Sequence, residues 1–415
     1  MSNTMAPCLT IATCIHRLPT ETLILIFLLH ADSSSRFIPQ VHHFRGELEN
    51  LANLRLLTLS QVSRWHAAVL ETPTLWTNIE LDCVLWRTAS SLERIVALLA
   101  ATLRRSRDLP LILQITADGN IPLHPRIFQL LASHSRRWSA LTMFCDVSGI
   151  CFSALEGRLP MPKRLQLTSL RVSPPNPFSY LKGVPALRRL HVTSVLLDGI
   201  SRGTLQNLVE CGCEATSASH IARCISLLSQ LPTTTSTFEL LVDCNTTSTD
   251  ASHKIDLHIA PQTSTISSLA LALGTGHPQH SLDILAQILG SLTLPALREI
   301  QFECVHYPPG ILEWPHGQFV ALSERSGFQH TLKTLNVAQV HISEPILLKL
   351  LSMLPALEEL EIADKRKVDG KGADVVLISD TLLRALACAP RGPDACPVTL
   401  LIPHLCILRC ASRLQ

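Results

Sequence analysis

Two spacings of apolar residues alternate along most of this chain. Segments with apolar residues three and four positions apart predict amphipathic helices, and shorter segments in which apolar and polar residues alternate predict strands. The predicted helices cover residues 91–105, 125–135, 218–230, 281–291 and 343–353. A strand is predicted at 109–116, after the first helix, and a last strand at 398–408. Helices that alternate with strands in this way indicate an α/β fold.

One apolar motif recurs where a predicted helix gives way to a predicted strand. Its spacing is an apolar residue, two other residues, an apolar residue, one other residue and a third apolar residue. The motif starts at Trp138, Leu187, Ile266, Leu297, Leu332, Leu357 and Leu405, and Pro-Ala precedes three of these leucines. The strands of leucine-rich repeats have the same spacing. The sequence therefore predicts a divergent leucine-rich-repeat-like α/β solenoid over residues 90–415, with its strands side by side in one sheet.

The motif is not evenly spaced. The starts at Leu332 and Leu357 are 25 residues apart (357 − 332), within the range of about 20–29 for leucine-rich repeats. The starts at Leu187 and Ile266 are 79 residues apart (266 − 187), so degenerate repeats are expected between them, near 205–208 and 238–240. Polar loops are predicted at 233–237, 246–252, 365–372 and 390–397. The alternative is an ordinary α/β domain in which helices cover buried strands.

A different pattern comes before residue 90. Pro19 suits the first turn of a helix, Glu21 favours its positive end, and residues 23–29 form an unbroken apolar run. A helix that is apolar on all sides must be covered on more than one of them. In a small module a partner chain can supply that cover, whereas the alternative is a buried strand or an ordinary core helix.

Several short motifs in this region together resemble an F-box, the small helical module that attaches a protein to a ubiquitin ligase. They are Leu-Pro-Thr-Glu at 18–21, a tryptophan-containing segment with helical spacing at 62–69, and Thr-Pro-Thr-Leu-Trp at 72–76. A polar stretch at about 31–50 departs from the family, in which this connection is shorter. The resemblance implies a short all-helical module over 15–81 with a loop inserted at that place.

The resemblance also implies a function. F-box proteins are the substrate-recognition subunits of Skp–cullin–F-box ubiquitin ligases: the F-box binds the Skp adaptor, and through it a cullin, while a second domain binds the target protein. The residues that match the family's adaptor-binding motif are Leu18, Pro19, Leu23, Phe27, Val62, Trp65, Leu75 and Trp76. Such a subunit carries no catalytic residues of its own. The alternative is a leucine-rich-repeat-like protein-interaction scaffold with no link to a ligase.

Composition and charge limit the classes of binding partner and the cellular locations that are expected for this protein. The 35 basic and 33 acidic residues leave a net charge of +2, which gives no electrostatic reason to expect binding to nucleic acid or to an anionic membrane. The fourteen cysteines lack the regular spacing of a disulfide framework, so reduced thiols and a cytoplasmic or nuclear location are expected. Residues 1–14 make a poor signal peptide, and no apolar run reaches the ~20 residues of a membrane span.

No arrangement of residues indicates catalysis or a cofactor. The sequence has no nucleophile elbow, no phosphate-binding glycine loop followed by lysine, and no two-histidine metalloprotease motif. The protein is therefore not expected to be an enzyme, and an enzyme with an unrecognised site is only a third interpretation. The nearest approach to a metal site is Cys211, Cys213, His220 and Cys224, whose spacing fits no standard zinc pattern. We interpret these cysteines as buried thiols.

The polar residues between the apolar positions of the motif are the candidate target-binding surface. In a solenoid they line the strand face that usually meets a ligand. The set comprises Arg188, Arg189, His191, Arg298, Glu299, Gln301, Lys333, Thr334, Asn336, Glu358, Glu359 and Glu361. Its charge passes from basic to acidic along the chain. The alternative is a polar face that meets only solvent.

Overall fold

The fold can be followed through the parts of the chain that the computed structural model describes. These are residues 72–82, 89–117, 123–146, 150, 152–155, 159–168, 184–244, 257–275, 278–304, 312–338, 340–364 and 404–412. The chain divides into two compact units, the first comprising Met1–Arg164 with Ser169–Pro174 and the second Leu165–Thr168 with Pro175–Gln415. Most of the predicted F-box-like module, residues 15–71, lies outside the described residues.

In the first unit three strands lie side by side and run parallel. They are β1 (Asn78–Asp82), β2 (Leu111–Thr116) and β3 (Trp138–Phe144), and the helices α1 (Ala89–Arg105) and α2 (Pro125–Ala132) lie between them in the chain. Parallel neighbours need such crossover connections. The predicted helices at 91–105 and 125–135 are confirmed with small shifts of their ends. Residues 78–81, which the F-box resemblance assigns to a helical module, form a strand.

Local chemistry explains where α2 begins. Pro125 occupies the first turn, where its missing N–H removes no helical hydrogen bond. The backbone N–H of Arg126 donates a hydrogen bond of 3.2 Å to Nδ1 of His124, which caps the helix. Ile127 and Leu131, four positions apart, are buried on the same side of the helix. The helical period read from the sequence is therefore the period at which this helix meets the core.

The second unit is also built from parallel strands that alternate with helices. Its strands are β4 (Arg164–Thr168), β5 (Arg189–Thr193), β6 (Glu210–Ala215), β7 (Thr237–Cys244), β8 (Gln262–Thr263), β9 (Ser268–Thr275), β10 (Leu292–Thr293), β11 (Glu299–Cys304), β12 (Leu312–Glu313), β13 (Thr334–Ala338), β14 (Val340–His341), β15 (Glu359–Asp364) and β16 (Ile407–Ser412). Its helices are α3 (Arg202–Leu205), α4 (Ala218–Leu227), α5 (Pro278–Ser291), α6 (His316–Ser326) and α7 (Glu344–Ser352). The α/β fold class and a large parallel sheet are thus confirmed.

The main sheet of this unit keeps its strands in chain order. The order is β4-β5-β6-β7-β9-β11-β13-β15-β16, while β8 pairs with β10 and β12 with β14 outside it. From β5 onward every neighbouring pair is parallel, and one row of apolar positions is aligned across the strands, buried in each strand except β16. That row is Leu190, Cys211, Phe238, Leu269, Ile300, Leu335, Leu360 and Leu408. A second row, two residues further along, runs from Val192 to Cys410 in the same register.

The backbone repeats one hydrogen-bond arrangement at the start of these strands. The carbonyl oxygen just before one strand accepts two backbone N–H groups from the chain entering the next, at 2.7 to 3.2 Å. The carbonyls belong to Arg188, Val209, Ser236, Ser267, Arg298, Lys333 and Glu358. Each junction therefore sets the register of the next strand in the same way, although the side chains at these positions differ.

The structure locates the two strands that the motif leaves hidden between Leu187 and Ile266. They are β6 and β7, preceded by the fully buried Leu208 and by Thr235. The hydroxyl of Thr235 donates a hydrogen bond of 3.1 Å to the backbone carbonyl of Leu208, so a polar residue is tolerated where the motif has leucine. The expectation of degenerate repeats near 205–208 and 238–240 agrees with these positions.

The C-terminal strand differs from its prediction. A strand was expected at 398–408, whereas β16 covers Ile407–Ser412, because the apolar position Leu405 precedes the strand as it does in the other copies of the motif in the second unit. Residues 398–403 and the predicted loops at 246–252, 365–372 and 390–397 lie outside the described residues. The loop predicted at 233–237 ends one residue earlier, because Thr237 begins β7.

Candidate interaction surface

The polar strand residues of the second unit lie together on one face of the main sheet, which we call the outward face. Successive side chains of a strand point to opposite faces, so the residues between the buried positions share this one. One row of it comprises His191, Gly212, Glu239, Ala270, Gln301, Asn336, Glu361 and Arg409. A second row begins with Arg189 and Glu210 and includes Glu299, Thr334 and Glu359. The predicted strand residues are thus brought onto a common surface.

Four of the predicted surface residues have a different position. Arg188, Arg298, Lys333 and Glu358 stand one residue before their strands, and their backbone carbonyls form the repeated junction described above. Their side chains are wholly or partly exposed at the edge where the strands begin. The basic charge predicted for this surface belongs largely to that edge, because the strands β6, β7 and β11 contribute only acidic charges to the face itself.

The last strands of the main sheet hold their charges in pairs, on the outward face and at the edge where the strands begin. Lys333 Nζ lies 2.6 Å from Glu358 Oε1, and the Asn336 amide donates a hydrogen bond of 3.1 Å to Glu361. Arg409 lies 3.8 Å from the same Glu361 carboxylate. Exposed pairs of this kind are each worth roughly 0–1 kcal/mol. This end of the face is therefore a set of weak, mutually neutralising contacts.

The outward face is built differently between β5 and β7. We call this region the β6 site, and it is formed by His191, Gly212, Glu214, Leu241 and Asp243. A Cβ atom built on Gly212 would collide with the imidazole of His191, so only glycine lets that ring lie across β6. Glu214 lies two residues further along β6, in register with Leu241 of β7. Its side chain is 6% exposed.

The carboxyl group of Glu214 is a weaker acid than an ordinary glutamate. Burial, and secondarily the negative charge of Asp243, raise its pKa to about 7. A buried carboxylate is normally paired with a cation or with several hydrogen-bond donors. Sequence reasoning missed this site because its strand lacks the leucines of the motif. A single glutamate between Cys213 and Ala215, in an otherwise apolar segment, was the signal that could have located it.

The residues considered as a metal site are Cys211 and Cys213, on the opposite face of β6, with His220 and Cys224 on α4. Cys211, Cys213 and Cys224 are buried and reduced, which confirms their interpretation as buried thiols. Contacts with the other two thiols, together with burial, raise the pKa of Cys213 well above its ordinary value. His220 is turned to Thr216, 3.1 Å away. Among the described residues no group of three or more His, Cys, Asp or Glu side chains is arranged to hold a metal ion.

Two of the eight predicted adaptor-binding residues fall within the described part of the chain. Leu75 and Trp76 form the end of a 3-10 helix, Pro73–Trp76, and are 4% and 0% exposed. The Arg105 guanidinium of α1 lies 4.6 Å from the centre of the Trp76 ring. These two side chains fill the interior of the first unit. Leu18, Pro19, Leu23, Phe27, Val62 and Trp65 lie outside the described residues.

Comparison with known proteins gives no family for the chain. No protein-family model matches it, and no curated protein sequence matches it. None of the helices in the described ranges has the length and apolar character needed to cross a bilayer.

Proposed function

We propose that this protein is the substrate-recognition subunit of a Skp–cullin–F-box ubiquitin ligase. An F-box-like module over residues 15–81 binds the Skp adaptor, and through it a cullin. A leucine-rich-repeat-like solenoid from about residue 90 binds a target protein on its outward face. The protein acts by proximity: it holds the target near a ubiquitin-charged enzyme and raises the effective concentration of the reacting groups.

The observation that carries the target-binding half is the regular outward face of the second unit. Eight strands, β5 to β7, β9, β11, β13, β15 and β16, stand in one register with polar side chains in rows. Repeat proteins use broad surfaces of this kind to bind other proteins. The same surface would serve a scaffold with no ligase link, which is the second candidate function.

The ligase half rests on the motif residues of the F-box-like module. Leu18 and Pro19 begin its first half, and Trp65 lies in its second. The burial of Leu75 and Trp76 supports a structural role for the end of the module. We propose that this end joins the module to the first strand of the repeat region, while the earlier residues supply the adaptor-binding surface.

A pull-down with the tagged full-length chain separates the two candidates. The ligase proposal predicts that both the Skp adaptor and a cullin are recovered with the chain. Recovery of the cullin should depend on the adaptor, because the adaptor lies between them. A well-folded chain that recovers neither protein would leave the scaffold as the better account.

A further inference from the structure

Glu214 of the β6 site is a covered acid on the outward face. Cys213 and Ala215 on either side of it are fully buried in the interior, so strand alternation turns Glu214 to the outward face. Although 94% of its surface is covered, it has no hydrogen-bond or ion-pair partner in the described parts of the chain. A carboxylate taken out of water without a partner destabilises a fold unless something supplies the missing charge.

The groups that flank Glu214 do not supply a positive partner. Thr193 on β5 and Leu241 on β7 stand beside it in register. Asp243, the next outward residue of β7, adds a second negative charge. The remaining titratable groups that these two strands direct to this face are Arg189, His191 and Glu239. Arg189 forms an ion pair of 2.9 Å with Glu210, His191 lies across Gly212, and Glu239 is another acid. The β6 site therefore concentrates negative charge at one place on the sheet.

The shape of the neighbouring face leaves room for a long side chain. Beyond β7, the outward residues of β9 are Ser268, Ala270, Ala272 and Gly274. Neighbouring strands lie about 4.8 Å apart, so these small residues leave a shallow channel of roughly 10 Å between β7 and β11. Leu241 and Ala272 are partly exposed beside it. They form an apolar path that leads from the channel to Glu214.

We propose that the β6 site is the receptor for one lysine or arginine side chain of the protein that the outward face recruits. The target chain lies over β9, the aliphatic stem of its basic residue packs on Leu241 and Ala272, and the cationic head meets Glu214 and Asp243. Long cationic side chains combine an apolar stem with a charged tip in this manner. The proposal rests on the outward face being the target-binding surface, and it does not depend on the adaptor.

The test is selection of random-sequence displayed peptides on the full-length protein. We expect the selected peptides to share a lysine or arginine at one fixed place. Glu214→Gln keeps the size of the side chain and should abolish that preference. It should also weaken the best selected peptide by about 30-fold or more, the usual effect of removing one partner of a buried charge pair. Glu324→Gln makes the same change at an exposed acid of α6, outside the outward face, and should leave both unchanged.

Several results would overturn the proposal: no peptide selected, no shared basic residue, or equal binding by Glu214→Gln. If that variant does not fold, competition on the unaltered protein decides. N-acetyl-lysine methylamide should displace the selected peptide, whereas its norleucine counterpart should not. Adaptor binding is measured on the same samples. If the adaptor does not bind but the selected peptides still share a basic residue, the ligase proposal fails and the proposal for the β6 site stands. If the adaptor binds but the peptides share no basic residue, only the proposal for the β6 site fails.

Discussion

Two regions of the main sheet hold carboxylates in opposite environments. Between β13 and β16, Glu358 and Glu361 are partly exposed, and each has a cation within 4 Å. Between β5 and β7, Glu210 is paired with Arg189 at 2.9 Å, whereas Glu214 is covered and the charge that raises its pKa is another acid, Asp243. At one end of the sheet, therefore, the charges are neutralised and have little effect on the free energy of folding. At the other end, the charge of Glu214 is not neutralised and destabilises the fold. The contrast indicates that only the second region requires an outside partner to explain it.

The largest expected effect is the pH dependence of stability caused by Glu214. Its pKa is about 7 in the folded chain and 4.5 ordinarily. The folded chain thus holds the proton more tightly, so this group's contribution to stability is fully present below its ordinary pKa and is lost as pH rises to about 7. Glu214→Gln is neutral throughout and should be the more stable protein at about pH 8, by on the order of 3 kcal/mol.

Denaturant unfolding of both proteins at about pH 5 and about pH 8 checks this prediction. The gain should shrink towards zero at the lower pH, because Glu214 of the unaltered protein is then protonated. Glu299→Gln serves as the control and should not change the pH profile. Equal stability of Glu214→Gln and the unaltered protein at the higher pH would show that the carboxylate is satisfied, and the contrast between the two regions would disappear.

The next effect concerns the glycine of the β6 site. Gly212→Ala places a Cβ in the space that the His191 ring occupies, so the ring must move, and overpacking of this kind costs about 1–3 kcal/mol. Gly290→Ala is the matched control, because nothing lies within 4 Å of its added Cβ. Thermal melting should show a loss for the first variant alone. A second change, His191→Ala, should restore part of it, whereas additive losses would contradict the proposed packing of ring on glycine.

The smallest effect belongs to the paired end of the face. Lys333 and Glu358 are 49% and 45% exposed, so their coupling should lie between about 0 and 1 kcal/mol and should fall further in salt. A double-mutant cycle with Lys333→Gln and Glu358→Gln measures it. A coupling well above that range would mean that this end of the face is as tightly built as the β6 site.

Much of the fold could be predicted, because the hydrophobic period survives in most of the chain. The helices around Leu99 and Leu285 and the strands after Leu187, Leu297 and Leu357 follow directly from apolar spacing. The strands β6 and β7 were harder to find, since cysteines and Thr235 replace the leucines of the motif. A buried thiol or a hydrogen-bonded hydroxyl can fill such a position, but neither registers as apolar periodicity.

The candidate site was less predictable than the fold. Alternation places Glu214 on the outward face, yet its burial depends on Thr193 and Leu241, which come from strands distant in the chain. Likewise, the motif that contains Trp76 resembles a docking segment, but the structure adds Arg105 of α1 over that ring. The burial of Glu214 and the packing of Trp76 both depend on contacts between different elements. The spacing of residues within one element does not predict such contacts.

The central claim, that the chain recruits targets to a ligase, is tested most directly by its affinity for a purified Skp adaptor. Calorimetry on the unaltered protein should give a measurable Kd. The double change Leu18→Ala with Pro19→Ala should weaken it by about 5- to 150-fold, the effect of removing an interface anchor worth about 1–3 kcal/mol. Pro185→Ala with Val209→Ala, at exposed positions of the second unit, is the matched control and should bind normally. Unchanged affinity in a folded Leu18 and Pro19 variant, or no binding by the unaltered protein, would contradict the account.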